Sequence, residues 1–407
     1  MAGSLTIRHA GMVDPDAETV RPDHRIRIES GIFVEVAPDT DRAVGSEEID
    51  ATGRFAVPGL IDCHVHVIAH SADEHALTMD DPTYVAARAV VELRAALRRG
   101  FTTVRDMAGA TEGLARAIAE GHIDGPRLFF GGKALSQTGG HGDLRLSGQQ
   151  IYDTHYATPG LGRICDGISE VRRAARDEIR RGATHLKLML SGGCSSYTDR
   201  IDSLQFSDDE IRAAVQEATA AGIYCGGHAY TTAAVVRGLE LGVRSIEHGN
   251  LMDASAIPLF LQHNAFYVPT LVTYDALADE GHQHGMTADG LAKVATVRAG
   301  GLEALDLAHR GGVDIAYGTD LLGDMRRRQS EEFRIRALVQ PAAAILRSAT
   351  TVAARLLDRE GTLGVIAEGA LGDLILTEHD PLADITVLAD PAGEITEVIR
   401  DGYRIAR

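Results

Sequence analysis

The chain has 407 residues, too many for one ordinary hydrophobic core, so a large domain with a smaller companion is expected. A formal net charge of −18, with one short basic run from Arg326 to Arg328, argues against nucleic acid or an anionic membrane as partner, because both need clustered Lys and Arg. No run of eighteen apolar residues occurs, MAGSLTIRHA lacks the basic start and apolar core of a secretory signal, and Cys63, Cys165, Cys194 and Cys225 form no C-x-x-C, so a cytoplasmic protein with reduced, inert thiols is expected.

In chain order, residues 1–57 (SLTIRHAGMVD, HRIRIESGIFVEVAPD) alternate apolar and polar side chains in short segments broken by Gly, Asp and Pro, the pattern of antiparallel sheet. Residues 58–365 repeat a different unit: a short apolar strand, a loop, then an amphipathic helix. The strands are GLIDCHVH (59–66), TTVRDM (102–107), RLFFGGK (127–133), THLKLML (184–190), IYCGGHA (223–229), RSIEHG (244–249), AFYVPTL (265–271) and DIAYGTD (314–320). Helix ends are legible in DDPTYVAARAVVELRAALRRG, where Asp81 is placed to cap, Pro82 suits the first turn, and Gly100 follows Arg98 and Arg99 as a terminator. In SDDEIRAAVQEATAAG, Ser207 and Glu210 have the capping-box spacing and Gly222 stops the helix. Eight such alternations predict an α/β fold of the (β/α)8 TIM-like barrel type, with function at the C-terminal strand ends. From residue 366 (GDLILTEHD, EITEVIRDGYRIAR) the alternating pattern returns. Residues 366–407 and 1–57 are each too small to fold well alone and are expected to combine into one small, discontinuous β-sandwich beside the barrel.

The first barrel strand carries two histidines. A strand alternates its faces, so His64 and His66 project with Asp62, away from Cys63 and Val65, which is the geometry of two ligands on one metal. Hydrogen-bonded core histidines have the same look, so the pair needs partners. At other strand ends stand Lys187, His228, His248 and Asp320. A lysine inside a barrel would be desolvated, which calls for a partner such as Asp320 or for a modification. Its amine reacts with carbon dioxide to give a carbamate, an anionic oxygen ligand able to bridge two cations. Four histidines, that group and an aspartate supply the ligands for two zinc-like ions.

With these residues, and with PGLIDCHVH, KALSQTGGHGD, HLKLMLSGG, GGHAYT, SIEHGN, YGTDLLGDM and QSEEFRIRA, the sequence resembles the amidohydrolase superfamily over nearly its whole length. More narrowly it resembles the prolidase-like metallocarboxypeptidases and dipeptidases, a branch that includes ochratoxin-type amidases. The resemblance implies a binuclear centre held by His64, His66, a carboxylated Lys187, His228, His248 and Asp320, and it implies a homo-oligomer. Deaminases of the superfamily usually hold one metal, lack the bridging lysine and carry a glutamate three residues after the fifth-strand histidine. Here that position is Thr231, so hydrolysis is expected rather than ring deamination.

Two cations sharing one water would bring its pKa towards neutrality and provide a hydroxide nucleophile. Asp320 is expected to accept its proton and hand it to the departing amine. His141, in QTGGHGD, either donates to the developing oxyanion or closes a Gly-rich turn. Tyr230 does the same, holds a substrate carboxylate, or packs. Arg200 and Arg326, on loops, either clamp the substrate's C-terminal carboxylate or make surface salt bridges. Asp62 and Asp106 either orient ligand imidazoles or close turns, and His185 packs a layer below Lys187. The Gly- and Ser-rich loops after strands three and four (ALSQTGGHGDLRLSGQQ and SGGCSSYTDRIDS) are expected to bind substrate or act as lids.

The expected activity is cleavage of the amide bond of small-molecule dipeptides or N-acyl amino acids, of prolidase or Xaa-carboxypeptidase type. A second reading keeps the fold and metals but takes a non-peptide amide or carbamate such as an N-aroyl amino acid. A third is a barrel that has lost catalysis and serves in binding, which a metal-dependent activity assay would separate from the other two.

Overall fold

The computed structural model describes residues 4–40, 47–145, 159–196 and 198–406. Sequence expectations reach outside these at residues 1–3, 41–46 and 407 of the terminal segments, at residues 146–150 of the loop after the third strand, and at Tyr197 in the loop after the fourth.

All eight expected strands form. They lie in two parallel sheets, one ordered Leu60–Val65, Phe101–Asp106, Arg127–Phe130, and one of seven strands that includes His185–Met189, Tyr224–Thr231, Ser245–Leu251, Phe266–Val268 and Asp314–Ile315. The sheets meet through backbone bonds at both edges, Thr184 N to Phe130 O at 2.8 Å and Cys63 N to Tyr317 O at 2.7 Å. The seventh strand is shorter than the sequence suggests because the helix Leu271–Glu280 begins immediately. The eighth is shorter because Tyr317 N turns to Ser348 O at 2.8 Å instead of a neighbouring strand. Two short strands not read from the sequence, Ala134–Ser136 and Gly162–Ile164, extend the larger sheet inside a region that reads as loop.

The helices follow their caps. Asp81 accepts from Thr83 N, Pro82 opens the helix Pro82–Arg98, and Gly100 ends it at φ +92°, where a side chain would be strained. Ser207 and Glu210 make the reciprocal capping box of Asp208–Ala220. These helices press alanine- and leucine-rich faces onto the strands, with Val171, Ala175, Ile211 and Ala214 fully buried against Leu186 and Leu188.

Both ends of the chain share one eight-stranded sheet containing Ser4–Asp14, Thr19–Glu29, Ile32–Pro38, Glu47–Asp50, Phe55–Pro58, Leu374–Thr377, Ile395–Arg400 and Tyr403–Arg404. Its own core includes Ile7, Ile26, Ile28, Phe33, Leu374, Leu376 and Ile399. Phe55–Pro58 pairs antiparallel with Leu374–Thr377, and one residue later the chain enters the first parallel strand. That residue is Gly59, where a Cβ would stand 2.3 Å from Thr102 Oγ1, so the terminal sheet is tied closely to the strand that carries His64 and His66. Among the described residues no helix is long and apolar enough to cross a membrane. The four cysteines are unpaired, and burial pushes each thiol up to about 12.

Candidate active site

The C-terminal ends of the parallel strands bring His64, His66, Lys187, His228, His248 and Asp320 to the wall of one cavity, together with His141 and Tyr230. The rings form a chain, with centroids 5.3 Å apart for His64–His66, 5.0 Å for His64–His248, 4.6 Å for His228–His248 and 4.3 Å for His141–His228. Asp320 closes it, its Oδ1 lying 3.1 Å from His66 Nε2 and 3.4 Å from His64 Nε2. Those three groups offer ligand atoms within 4.8 Å of one another.

The backbone is bent to present them. His248, Thr270 and Asp320, at the ends of three successive strands, take positive φ of 75°, 49° and 53°, a region that costs a non-glycine residue on the order of 1 kcal/mol or more. At His248 the bend breaks strict alternation, so the consecutive Glu247 and His248 both reach inward.

Outer hydrogen bonds fix each imidazole. His64 Nδ1 bonds Glu247 Oε2 at 2.8 Å, His66 Nδ1 bonds Ala108 O at 2.9 Å, and His248 Nδ1 bonds Thr270 Oγ1 at 2.9 Å. In His228 it is Nε2 that is engaged, by Gly192 O at 3.1 Å. Each ring therefore keeps one nitrogen for another partner: Nε2 in three of them, Nδ1 in His228. Burial holds His228 and His248 well below the usual imidazole range, so both are neutral and carry a free lone pair. Burial acts against the Asp320 carboxylate, but the charge and hydrogen bond of His64, with the bond from His66, outweigh it and keep Asp320 ionised.

Lys187 is the odd member. Its Nζ is buried and has no hydrogen-bond partner, so the ion pair with Asp320 does not form. Burial, opposed by the charges of Glu247 and Asp320, lowers its pKa to about 8. An amine near neutrality, orphaned among imidazoles and a carboxylate, fits the carbamate and metal-ligand set that the sequence suggested.

Several residues fall differently from expectation. Arg200 is 82% exposed and grips Asp202 at 2.7 and 2.9 Å, away from the cavity. Arg326 is buried, but it donates to Val67 O at 2.9 Å and His66 O at 3.2 Å and holds the segment behind the histidine strand. Neither lines the cavity. Asp62 and Asp106 do not touch the ligand rings. Asp62 accepts from His64 N, Thr319 Oγ1 and Gln329 Nε2, which locks the first strand to the eighth, and Asp106 accepts from Val67 N and Ala110 N. His185 packs below Lys187, its ring 5.8 Å from that of Tyr224.

Sequence reading missed two networks. The acceptor for His64 is Glu247, itself gripped by Arg105 at 2.9 and 3.0 Å and by Ser245 Oγ at 2.7 Å. Arg105 and Glu247 are fully buried, and that pairing outweighs the burial that would otherwise raise the Glu247 pKa. The signal was two ionisable residues side by side in the apolar strand RSIEHG. In the second network, His141 Nδ1 meets Ser196 Oγ at 2.9 Å, and Ser196 bonds in turn to Asp199. Tyr230 receives a hydrogen bond from Tyr274 at 3.1 Å, with its ring 4.8 Å from that of His228.

A parallel-strand scaffold with histidines, a lysine and an aspartate at one mouth defines a class of metal-centred hydrolases, and comparison with known proteins narrows it. The amidohydrolase family profile matches residues 55–405, and the chain belongs to that family. It is 32% identical over 98% of its length to ochratoxinase of Aspergillus niger, covering 86% of that protein. A prolidase solved in complex with N-methylphosphonate-L-proline superposes with a TM-score of 0.97 at 44% identity, covering 99% of this chain and all of that one. A Xaa-Pro dipeptidase solved with methionine in its active site gives a TM-score of 0.88 at 29% identity, covering 98% of this chain and 99% of that one. The chain is therefore an amidohydrolase-family protein with prolidase, dipeptidase and ochratoxinase relatives.

Proposed function

We propose that the protein is a binuclear metal-dependent hydrolase that cleaves the amide bond of dipeptides or N-acyl amino acids, in the manner of a prolidase. The two edge-linked parallel sheets are read as one closed eight-stranded barrel over residues 58–365, and the terminal sheet as a small β-sandwich of residues 1–57 and 366–407.

The observation that carries this reading is the orphaned, buried Nζ of Lys187. With a pKa of about 8, an appreciable fraction is neutral amine near pH 7. Its lone pair forms a bond to the carbon of CO2, one C=O π pair moves to oxygen, and the nitrogen proton leaves to solvent, giving the carbamate anion. That group, with His64, His66, His228, His248 and Asp320, would hold two divalent ions, and the nitrogen-rich donor set favours zinc. Bound ions supply Lewis acidity towards a carbonyl oxygen and lower the pKa of water. The chain's own residues do the rest. The Asp320 carboxylate, kept ionised, takes a proton from the attacking water and returns it to the departing nitrogen, which leaves poorly as an amide anion. His141, whose Nδ1 lies 2.9 Å from Ser196 Oγ, is read as meeting the carbonyl oxygen as negative charge grows there. Tyr230, buried on the same wall, is read as holding the substrate in register through its hydroxyl.

A second reading, hydrolysis of a non-peptide amide such as an N-aroyl amino acid, is favoured by the match to ochratoxinase over 98% of the chain. Both are tested by a panel of Xaa-Pro dipeptides, other dipeptides, N-acyl and N-aroyl amino acids, assayed with zinc and bicarbonate while bound metal is measured. We expect two ions per chain and release of a free amino acid. A protein that takes up no metal, or turns over no amide in the panel, would sink the proposal.

A further inference from the structure

Among the described residues, the cavity wall contains two carboxylates, Asp320 and Glu74, and no arginine. Asp320 is committed to His64 and His66. Glu74 is not. It opens the short helix Glu74–Met79 in the loop after the His66 strand, while the neighbouring Asp73 spends its side chain capping Ala76 N. Ser195, on the loop after the Lys187 strand, donates to Glu74 Oε1 at 2.7 Å and pins the carboxylate across the mouth. Glu74 Oε2 accepts no hydrogen bond from any described residue. A fixed, half-buried carboxylate with a free oxygen, in a cavity whose wall also holds imidazoles, the Lys187 amine, hydroxyls and apolar side chains such as Met189, Leu277 and Met286, attracts a cation more strongly than it would in water.

We infer that Glu74 binds the free α-ammonium group of the substrate, so that this enzyme reads an unblocked dipeptide and discriminates against N-acylated amino acids. The inference rests on the proposed amide hydrolysis and narrows it. A dipeptide carries its α-ammonium two bonds from the scissile carbonyl carbon. A carboxylate on the wall of the same cavity is a suitable partner for it, and an ammonium-carboxylate hydrogen bond is about twice as strong as a neutral one. Glu74 touches only substrate in this scheme, and no proton moves through it.

The test compares Ala-Pro with N-propionylproline, which differs from it only by having hydrogen in place of the ammonium group. The quantity read is the ratio of their kcat/KM values in the wild-type enzyme, in Glu74→Gln and in Ser195→Ala. Gln keeps an acceptor for Ser195 and removes only the charge. We expect the wild type to favour Ala-Pro, Glu74→Gln to lower that ratio about tenfold or more through loss on Ala-Pro alone, and Ser195→Ala to lower it less. An unchanged ratio in Glu74→Gln, including equal losses on both substrates, overturns the inference, as does a wild type with no preference. Turnover of N-acyl amino acids without any dipeptide overturns it while leaving the amide hydrolase standing. Turnover of neither class rejects the hydrolase reading itself.

Discussion

Arg336–Glu332 and Arg105–Glu247 are both fully buried arginine–glutamate pairs beneath the strands, and they differ in what surrounds them. Arg336 bonds Glu332 at 2.8 Å, Ser348 Oγ at 2.9 Å and Ala316 O at 3.0 Å, while Glu332 accepts Val272 N at 2.7 Å. Every charge there is answered from within, and the network holds the seventh and eighth strands against the following helices. Arg105 and Glu247 are just as buried and just as well bonded, but one oxygen of Glu247 is spent on His64, and Lys187 stands nearby with nothing to bond. A saturated pair marks structure. A saturated pair beside an orphaned amine marks a place where the fold leaves room for something the chain does not supply.

The strongest way to break this comparison is to replace both odd groups by methionine. Lys187→Met removes the proposed bridging ligand but also an unsatisfied buried amine. We expect kcat/KM to fall about a thousandfold or more, with bound metal lost, while the urea midpoint of the metal-free protein holds or rises. Arg336→Met does the reverse. It strands the Glu332 carboxylate in the core, and we expect a loss of about 3–5 kcal/mol in chemical unfolding with metal stoichiometry unchanged in the folded fraction. If Lys187→Met unfolds the protein as readily as Arg336→Met does, the distinction between the two networks is wrong.

Much of this was legible in the chain. The strand positions, the Asp81–Pro82–Gly100 helix and the Ser207–Glu210 box follow from local chemistry, because caps and alternation act within a few residues. His64, His66, Lys187, His228 and Asp320 could be placed at strand ends from parity alone. Glu247 could not, because the left-handed turn at His248 sets two consecutive side chains on one face, which parity forbids. The burial of Arg326 was hidden for a related reason: a basic run reads as solvated surface, yet its first member folds back to bond carbonyls of residues 66 and 67.

Lys187 also sharpens the comparison through pH. Its folded pKa of about 8 lies below its ordinary value of 10.5, so below pH 8 both folded and unfolded states carry the proton and the folded state bears the whole cost of a buried charge. Between pH 8 and 10.5 the unfolded chain binds more protons than the folded one, so stability should rise with pH, by about 3 kcal/mol in all. The gain should be absent from Lys187→Met. Unfolding of metal-free wild type and variant, measured in parallel across that window, isolates the lysine because every other titration is shared. Parallel curves would mean that the amine has found a partner after all.

The smallest effect is expected from one of the two residues that sequence alone offered as a carboxylate clamp. Arg200 carries a guanidinium on a Gly- and Ser-rich loop after a ligand strand, but its side chain is 82% exposed and its fork is closed on Asp202 two residues away. An exposed pair of this kind is screened by solvent and gains little from its geometry, so Arg200→Ala should leave kcat/KM and the unfolding midpoint unchanged on free dipeptides and on their C-terminal amides alike. The cavity holds no arginine among the described residues, so under the proposed function a substrate carboxylate would be met by imidazole and hydroxyl groups such as His141 and Tyr230. A selective loss on the free acid in Arg200→Ala would require the loop to swing that guanidinium inward and abandon Asp202. Asp202→Asn, which weakens the resting pair and frees the guanidinium, would then sharpen the discrimination between free acid and amide. Measuring both variants against both substrates distinguishes a loop that stays as described from one that closes over the substrate.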